Sequence, residues 1–163
     1  MYYFAYGSNM SCRRLQQRVP SARVVATGIL HGHRLAFHKS GRDGSAKCDA
    51  AQSRQAEDCV FGVVYQIDPS HKSRLDAAEG LGNGYEEKTI TVYRAGAAAL
   101  TAFTYCATHI DPCLKPFAWY HEHVLRGANE HGLPAAYVAA IVAVESIEDP
   151  DPQRQSRELA IYA

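Results

Sequence analysis

An aromatic run that stops at three small polar residues most constrains how this chain can fold. Residues 2–6 read Tyr-Tyr-Phe-Ala-Tyr, and Gly7, Ser8 and Asn9 follow them. A short aromatic run that is apolar on both faces predicts a strand buried on both sides. Glycine, a hydroxyl and an amide are typical of a tight turn, the glycine because it can adopt positive φ. The sequence therefore predicts a buried strand that leads into a tight loop.

The loop at residues 7–9 is a candidate anion site. A polar helical segment follows it, so we expect the amides of the turn and of the helix N-terminus to point the same way. Such a concavity can hold a carboxylate. An ordinary turn has the same composition, and what favours a binding role is the position of the loop after a rigid strand.

Length and charge exclude several classes of function. The chain has 163 residues with 17 basic and 17 acidic side chains, so its formal net charge is zero. This length predicts one domain over residues 1–163, and the charge balance argues against a nucleic-acid or membrane partner. The sequence contains no basic leader and no apolar run of membrane-spanning length, and its five scattered cysteines suit a reduced compartment. We expect a cytoplasmic protein with a small-molecule partner.

The order of the elements predicts the fold class. Strand-like runs lie at residues 2–6, 23–30, 34–38, 48–52, 59–67, 85–93 and 100–106, and helical patterns lie at 11–18, 70–79, 117–128 and 137–144. The arginines of the first helix are expected in solvent. The polar tail at 150–163 is expected to be loose and peripheral. Strands with inserted or appended helices favour an α+β domain on a mostly antiparallel or mixed sheet, open or curled into a barrel, over a doubly wound sheet.

Glu79 is the candidate general acid/base. It lies at the predicted end of a helix that Gly80 closes. The negative end of the helix dipole, Asp76 one turn earlier and burial would each raise the pKa of its carboxyl group, whereas Lys72 and Arg74 would oppose them. A glutamic acid with a pKa near neutrality can accept a proton and return it. The other interpretation is a helix-end glutamate in solvent.

Other chemistries lack their motifs. His121-Glu122-His123 has the wrong spacing for a zinc helix, and His31 and His33 have no third ligand. No nucleophile elbow is present, and Ser8 has no recognisable partner base. A redox or metal protein that uses Cys12, Cys106, Cys113 and the histidines is therefore the least favoured class, and we expect no cofactor and no metal.

Four short motifs occur in order along most of the chain. They are Phe4-Ala5-Tyr6-Gly7-Ser8-Asn9-Met10, Phe61-Gly62-Val63-Val64-Tyr65, Leu75-Asp76-x-x-Glu79-Gly80 followed by Tyr85, and Gly127-Ala128 with Gly132-Leu133-Pro134. Each motif alone is weak, but the set closely resembles the γ-glutamylcyclotransferase family.

The resemblance implies a small, mostly antiparallel β-barrel with flanking helices. It also implies a cofactor-free enzyme that converts a γ-glutamyl amine or γ-glutamyl amino acid, glutathione among the possibilities, into 5-oxoproline and the free amine. By position, Glu79 matches the family's catalytic glutamate. The residues that match its substrate-binding positions are Tyr6, Gly7, Ser8, Asn9, Tyr85 and Tyr120.

Some features depart from the family pattern or leave the function open. Cys48 and Asp49 lie where relatives carry a more apolar strand along the pocket. The loops at 39–45 and 81–84 are expected to select the leaving group, and the sequence leaves both that group and the oligomeric state open. A non-catalytic binding or interaction module on the same fold is the competing interpretation. Glu79 argues against it, because binding alone needs no proton shuttle.

Overall fold

The computed structural model describes residues 1–163, which form seven strands and five α-helices. The strands are β1 Tyr2–Ala5, β2 Arg23–His31, β3 His33–Ser40, β4 Ala46–Gln52, β5 Cys59–Gln66, β6 Tyr85–Arg94 and β7 Ala97–Ala107. The helices are α1 Cys12–Arg18, α2 Lys72–Glu79, α3 Ala118–Glu130, α4 Ala135–Val142 and α5 Pro152–Leu159. Short 3₁₀ turns cover Ser8–Met10, Pro69–His71 and Ala160–Tyr162. No helix combines the length and the apolar character needed to cross a membrane.

Five of the strands close into a barrel in the order β1-β5-β2-β6-β7. Neighbouring strands are antiparallel except at the closure, where β1 and β7 run parallel and pair through Tyr3 and Phe103. The apolar strand β5 lies between β1 and β2, and its residues Val63, Val64 and Tyr65 are fully buried. The predicted α+β class, with a mixed and mostly antiparallel barrel, is confirmed.

Strands β3 and β4 form a separate two-stranded sheet beside the barrel. Asp49 fastens this hairpin to β7, because its Oδ1 accepts a hydrogen bond from the N–H of Ala107 at 2.8 Å. Its second oxygen lies 2.9 Å from Nε2 of His38 on the partner strand. Asp49 therefore anchors the hairpin.

Helix α1 follows the 3₁₀ turn at Ser8–Met10 directly. Leu15 and Val19 are fully buried, as their spacing predicts. The expectation that the arginines of this helix lie in solvent is wrong for Arg14, which is only 7% exposed. Its Nη1 contacts Glu158 Oε2 at 2.5 Å and His123 Nε2 at 2.8 Å, so the buried guanidinium is paired.

The C-terminal tail is ordered, and the expectation of a loose tail is wrong. Helix α5 begins at Asp151, whose side chain accepts hydrogen bonds from two backbone N–H groups of its first turn. Asp149 accepts a hydrogen bond from Trp119 Nε1 at 2.7 Å and pairs with Arg154, which lowers the pKa of its carboxyl group. Tyr162 donates a hydrogen bond to Ser11 Oγ at 2.9 Å. Polar side chains of the tail thus have partners in α3, at Trp119, and just before α1, at Ser11. Composition alone does not show such partners.

Helix α3 packs against the 3₁₀ turn almost backbone to backbone. A Cβ on Gly127 would lie 2.5 Å from Cβ of Met10 and 2.6 Å from the backbone N of Ser11. Only glycine permits so close an approach. Helix α3 thereby fixes the position of the loop that precedes α1.

Candidate active site

The loop at residues 7–9 follows strand β1 and lies at the end of the barrel. Gly7 has φ of −114°, so the turn does not use the positive φ that glycine permits. The glycine is required by close approach instead, because a Cβ there would lie 3.0 Å from Cβ of Cys48 and 3.4 Å from the hydroxyl of Tyr120. Ser8 and Asn9 are buried in the 3₁₀ turn that follows.

Glu79 is the last residue of α2, and Gly80 ends the helix in the left-handed conformation with φ of 74°. One carboxylate oxygen of Glu79, Oε1, accepts hydrogen bonds from Asn9 Nδ2 at 2.7 Å and Arg18 Nη1 at 2.9 Å. The same Arg18 nitrogen donates to Asn9 Oδ1 at 2.9 Å, so the three side chains form a closed triangle. The second oxygen, Oε2, has no hydrogen-bond partner in the protein. The side chain of Glu79 is 16% exposed and reaches the cavity described below.

Arg18, rather than a cation of α2, pairs with Glu79. Lys72 forms ion pairs with Asp76 and Glu87, and Asp76 also accepts a hydrogen bond from the hydroxyl of Tyr105 at 2.6 Å. Sequence reasoning missed Arg18 because 61 residues separate it from Glu79. The signal in the sequence that could have drawn attention to Arg18 was its spacing of four residues from Arg14, which places both arginines on one face of α1.

The predicted tyrosines lie around the pocket, but their hydroxyls bind protein groups. Tyr85 donates to the carbonyl oxygen of Cys48 at 2.5 Å, and the N–H of Cys48 donates to the hydroxyl of Tyr120 at 2.9 Å. Tyr6 donates to the carbonyl oxygen of Tyr105. Burial raises the pKa of all three predicted tyrosines well above its ordinary value, so they stay neutral. Their rings shape the pocket, and two of them hold β4 in place.

Two connected pockets meet at Glu79. The inner one measures about 20 Å³, room for about one water molecule. All the site residues predicted from the sequence line it: Tyr6, Gly7, Ser8, Asn9, Glu79, Tyr85 and Tyr120. The outer cavity measures about 230 Å³ and shares Ser8, Glu79, Tyr85 and Tyr120 with the inner pocket. The structure thus brings the predicted residues together, with Glu79 at the junction.

The wall of the outer cavity carries two cations, Lys39 and Arg42, that form no ion pair. Lys39 is only 5% exposed, and its Nζ lies 4.7 Å from the centre of the Tyr85 ring without a hydrogen bond or an ion pair. Burial lowers the pKa of Lys39, against the opposing charge of Glu79. Arg42 also lines the cavity and has no ion pair, whereas Lys47 pairs with Asp43 at 2.7 Å. The predicted selectivity loop at 39–45 does line the cavity, and Lys39 and Arg42 make its wall positive.

The fold and the site define the class of protein. The structure is a small mixed barrel whose first strand leads into a turn beside Glu79, and the model of the AIG2-like family matches residues 59–141. Gamma-glutamylcyclotransferase of Homo sapiens is 31% identical over 147 residues, which cover 88% of this chain and 78% of that protein. The Mus musculus protein of the same name is 31% identical over 150 residues, which cover 90% and 79%.

Solved structures agree with these sequence relatives. A gamma-glutamyl cyclotransferase structure superimposes with a TM-score of 0.83 at 28% identity, covering 92% of this chain and 90% of that one. An uncharacterized protein from Homo sapiens superimposes with a TM-score of 0.86 at 27% identity, covering 99% and 98%. The chain therefore belongs to the γ-glutamylcyclotransferase family, a family of enzymes.

Proposed function

We propose that the protein releases 5-oxoproline and a free amino acid from a γ-glutamyl amino acid, with Glu79 as the general acid/base. The observation that carries this proposal is that Glu79 lines both pockets with Oε2 free of protein partners, while Oε1 accepts hydrogen bonds from two donors. Membership of the γ-glutamylcyclotransferase family supports the reaction type. A cytoplasmic location, a single domain and independence from cofactors stay predictions.

The reaction needs proton transfer more than it needs an enzyme nucleophile. The α-amine of the substrate attacks its own γ-carbonyl carbon, so both reacting groups already belong to one molecule. A new C–N bond closes the five-membered ring, and the C–N bond to the leaving amine breaks. The α-ammonium, whose ordinary pKa is about 8, must first lose a proton, and the departing amine must gain one. Glu79 takes the first proton and returns it to the leaving nitrogen, and the second proton, which the α-nitrogen loses as the ring closes, passes to the freed amine, which departs as an ammonium.

The groups around Glu79 suit that task. Asn9 and Arg18 bind Oε1, which fixes the carboxylate and directs Oε2 to the reacting nitrogens. The backbone amides of Gly7, Ser8 and Asn9 lie at the inner pocket, where they would bind the glutamyl carboxylate or the developing oxyanion. The inner pocket has room for one small polar group beside Tyr6, and the glutamyl chain would lie in the outer cavity against Tyr85 and Tyr120. Cys48 also lines the inner pocket, and burial raises the pKa of its thiol to about 12, so it contributes a neutral wall.

The charge of the outer cavity favours a leaving group with a carboxylate. Lys39 lines the cavity and its Nζ has no ion pair, so a substrate carboxylate beside it would gain a charge-assisted contact. A γ-glutamyl amino acid carries such a carboxylate in its leaving group, as does glutathione. A γ-glutamyl amine without a carboxylate lacks it, and a γ-glutamyl polyamine would bring a further positive charge to Lys39 and Arg42. We therefore favour γ-glutamyl amino acids and peptides as substrates.

A matched substrate panel tests the reaction and the leaving group separately. Purified protein is incubated with γ-glutamylalanine, glutathione and γ-glutamylethylamide, and 5-oxoproline is quantified by chromatography. We expect release from one or both of the carboxylate-bearing compounds, with a higher kcat/KM than for the ethylamide. Equal kcat/KM values would contradict the leaving-group assignment but not the reaction. Calorimetric binding without any release of 5-oxoproline would instead favour the binding-module interpretation.

A further inference from the structure

We propose that Cys12, Glu130 and His131 form a binding site for a divalent transition-metal ion of the zinc type. Cys12 is the first residue of α1, Glu130 is the last residue of α3, and His131 follows it. None of the three lines the cavities that contain Glu79, so the site is separate from the proposed active site. The proposal does not depend on the reaction that the protein catalyses.

The donor atoms already have the spacing that one ion requires. Ligand atoms of all three residues lie within 4.8 Å of one another. Cys12 Sγ lies 3.7 Å from His131 Nε2. Two ligands of a tetrahedral zinc ion, with Zn–S of about 2.3 Å and Zn–N of about 2.05 Å, are about 3.6 Å apart. An ion can therefore bind the sulfur and the nitrogen with little movement of either residue.

The chemistry of the three donors is that of a zinc-type site. A thiolate, an imidazole and a carboxylate are each zinc ligands, and three protein ligands leave a fourth position for water. The backbone N–H of Cys12 donates to Glu130 Oε2 at 3.2 Å, which keeps the carboxylate beside the thiol. Cys12 and His131 are half-buried and Glu130 is exposed, so an ion can enter from solvent.

The hydrogen bonds around His131 can rearrange when its Nε2 binds a metal ion. His131 Nε2 lies 2.9 Å from the carbonyl oxygen of Met10 and would give up this contact to bind the ion. That carbonyl oxygen also accepts a hydrogen bond from the hydroxyl of Tyr65 at 2.7 Å, so it remains satisfied. Tyr65 is a neutral neighbour of the site, because burial raises its pKa far above the ordinary value.

The backbone holds the histidine in position without a metal. Gly132 follows it at φ of 61°, and the N–H of Leu133 donates to the carbonyl oxygen of Ala128 at 3.0 Å. Helix α3 is thereby closed at the residue that carries the imidazole. Gly127 sets the approach of α3 to the turn before Cys12. The two segments that supply the ligands are thus packed together before any ion binds.

Titration of the metal-free protein with Co²⁺ and Zn²⁺ tests the site. Co²⁺ bound by the thiolate gives a charge-transfer band in the near ultraviolet, and Zn²⁺ should displace it. We expect one ion per chain, and a thermal unfolding midpoint that rises with metal concentration because only the folded state assembles the site. The variants Cys12→Ser and His131→Asn should lose the band, and Glu130→Gln should weaken binding.

A matched thiol control separates this site from adventitious binding. Cys113 is exposed and free, so the variant Cys113→Ser removes a more accessible thiol elsewhere. We expect it to bind Co²⁺ as the unchanged protein does. A band that persists in folded Cys12→Ser protein, that disappears in Cys113→Ser, or that never forms in the unchanged protein would each overturn the proposal. Circular dichroism of every variant establishes that it is folded.

Discussion

Arg18 places its Nη1 2.9 Å from Oε1 of Glu79, although 61 residues separate them in the sequence. The contact joins α1 to the C-terminal end of α2 and occupies only one of the two carboxylate oxygens. Asn9 binds the same oxygen, so both donors hold the carboxylate from one side. The arrangement leaves Oε2 without a protein partner.

The variant Glu79→Gln tests the proton shuttle. The amide keeps the shape of the side chain and can still bind Arg18 and Asn9 through its oxygen, but it cannot accept and return a proton. We expect kcat for 5-oxoproline release to fall by about 100-fold or more, which is the range of general acid/base catalysis. The free energy of unfolding should change by about 1 kcal/mol or less, because the lost ion pair is partly exposed.

Glu87→Gln is the matched control for that variant. Glu87 is a carboxylate of β6 that pairs with Lys72 and does not line the Glu79 cavities. We expect the Glu87→Gln protein to release 5-oxoproline as the unchanged protein does. Near-normal turnover in folded Glu79→Gln protein would contradict the assigned role, whatever the control does.

The variant Lys39→Met tests how the leaving group is selected. Methionine keeps much of the length and the contact with Tyr85 but removes the buried charge. We expect kcat/KM for γ-glutamylalanine to fall by about 10- to 100-fold, as for the loss of one partner of a desolvated charge pair, with little change for γ-glutamylethylamide. The thermal midpoint of the free protein should stay level or rise, because burial disfavours the charged form of Lys39, whose pKa it lowers.

Lys115→Met is the control for the lysine. Lys115 lies outside the cavity and pairs with the exposed residue Glu145 at 2.6 Å. It should leave the preference between the two substrates unchanged. If Lys39→Met lowered kcat/KM equally for both substrates, Lys39 would act on the pocket in general and not on the leaving group.

Local signals in the sequence predicted the parts of the fold that depend on near neighbours. The apolar run of β5 and the stop at Gly80 each lie within a few residues of the element that they define. The pairings that join distant segments had no such signal. Arg18 with Glu79 is one example, and the hairpin of β3 and β4 that leaves the barrel is another, because strand patterns do not specify partners.

The tail shows the same limit for polar residues. Its composition indicates a solvated segment, yet Glu158 binds Arg14 and Tyr162 binds Ser11, both in the segment at residues 11–14. A polar residue is stable in a packed segment when it finds a partner there, and composition cannot show the partner. The predicted site residues did converge on one pocket, because the loop at 7–9 and the end of α2 are both marked by local turn signals.

The variant Gly127→Ala tests the close packing that positions the loop. Alanine favours the helix by about 1 kcal/mol, but its Cβ would lie 2.6 Å from the backbone N of Ser11, which cannot move aside as a side chain can. Overpacking of this kind costs about 1–3 kcal/mol, and the displaced turn carries Asn9. We therefore expect a lower thermal midpoint together with reduced kcat. Asn129→Ala, an exposed substitution in the same helix, should raise or keep the midpoint. Unchanged stability in Gly127→Ala would show that α3 can shift freely.

Stability should fall as the pH decreases below neutrality, because His123 is buried as a neutral ring. Burial lowers the pKa of His123 from its ordinary 6.5 to about 4. Arg14 donates to its Nε2, which leaves Nδ1–H to donate to the hydroxyl of Tyr162. Above pH 6.5 the ring is neutral in both the folded and the unfolded chain. Between pH 6.5 and pH 4 the unfolded chain takes up a proton that the folded chain excludes, so folding loses about 2 kcal/mol by pH 5.

Glu158 extends the loss to lower pH and shows how to isolate the histidine. Its contacts with His123 and with the charged guanidinium of Arg14 lower the pKa of its carboxyl group from 4.5 to about 2, so this carboxylate stabilises the fold above pH 4.5 and loses its contribution as the pH falls toward 2. Urea denaturation at pH 7.5 and at pH 5 therefore measures mainly His123. We expect His123→Gln to flatten the change between these two pH values, whatever its own stability, and His109→Gln, on the exposed surface, to preserve it. Equal pH dependence in both variants would show that a different group titrates. The contacts of the C-terminal tail with His123 would then not cause the acid sensitivity.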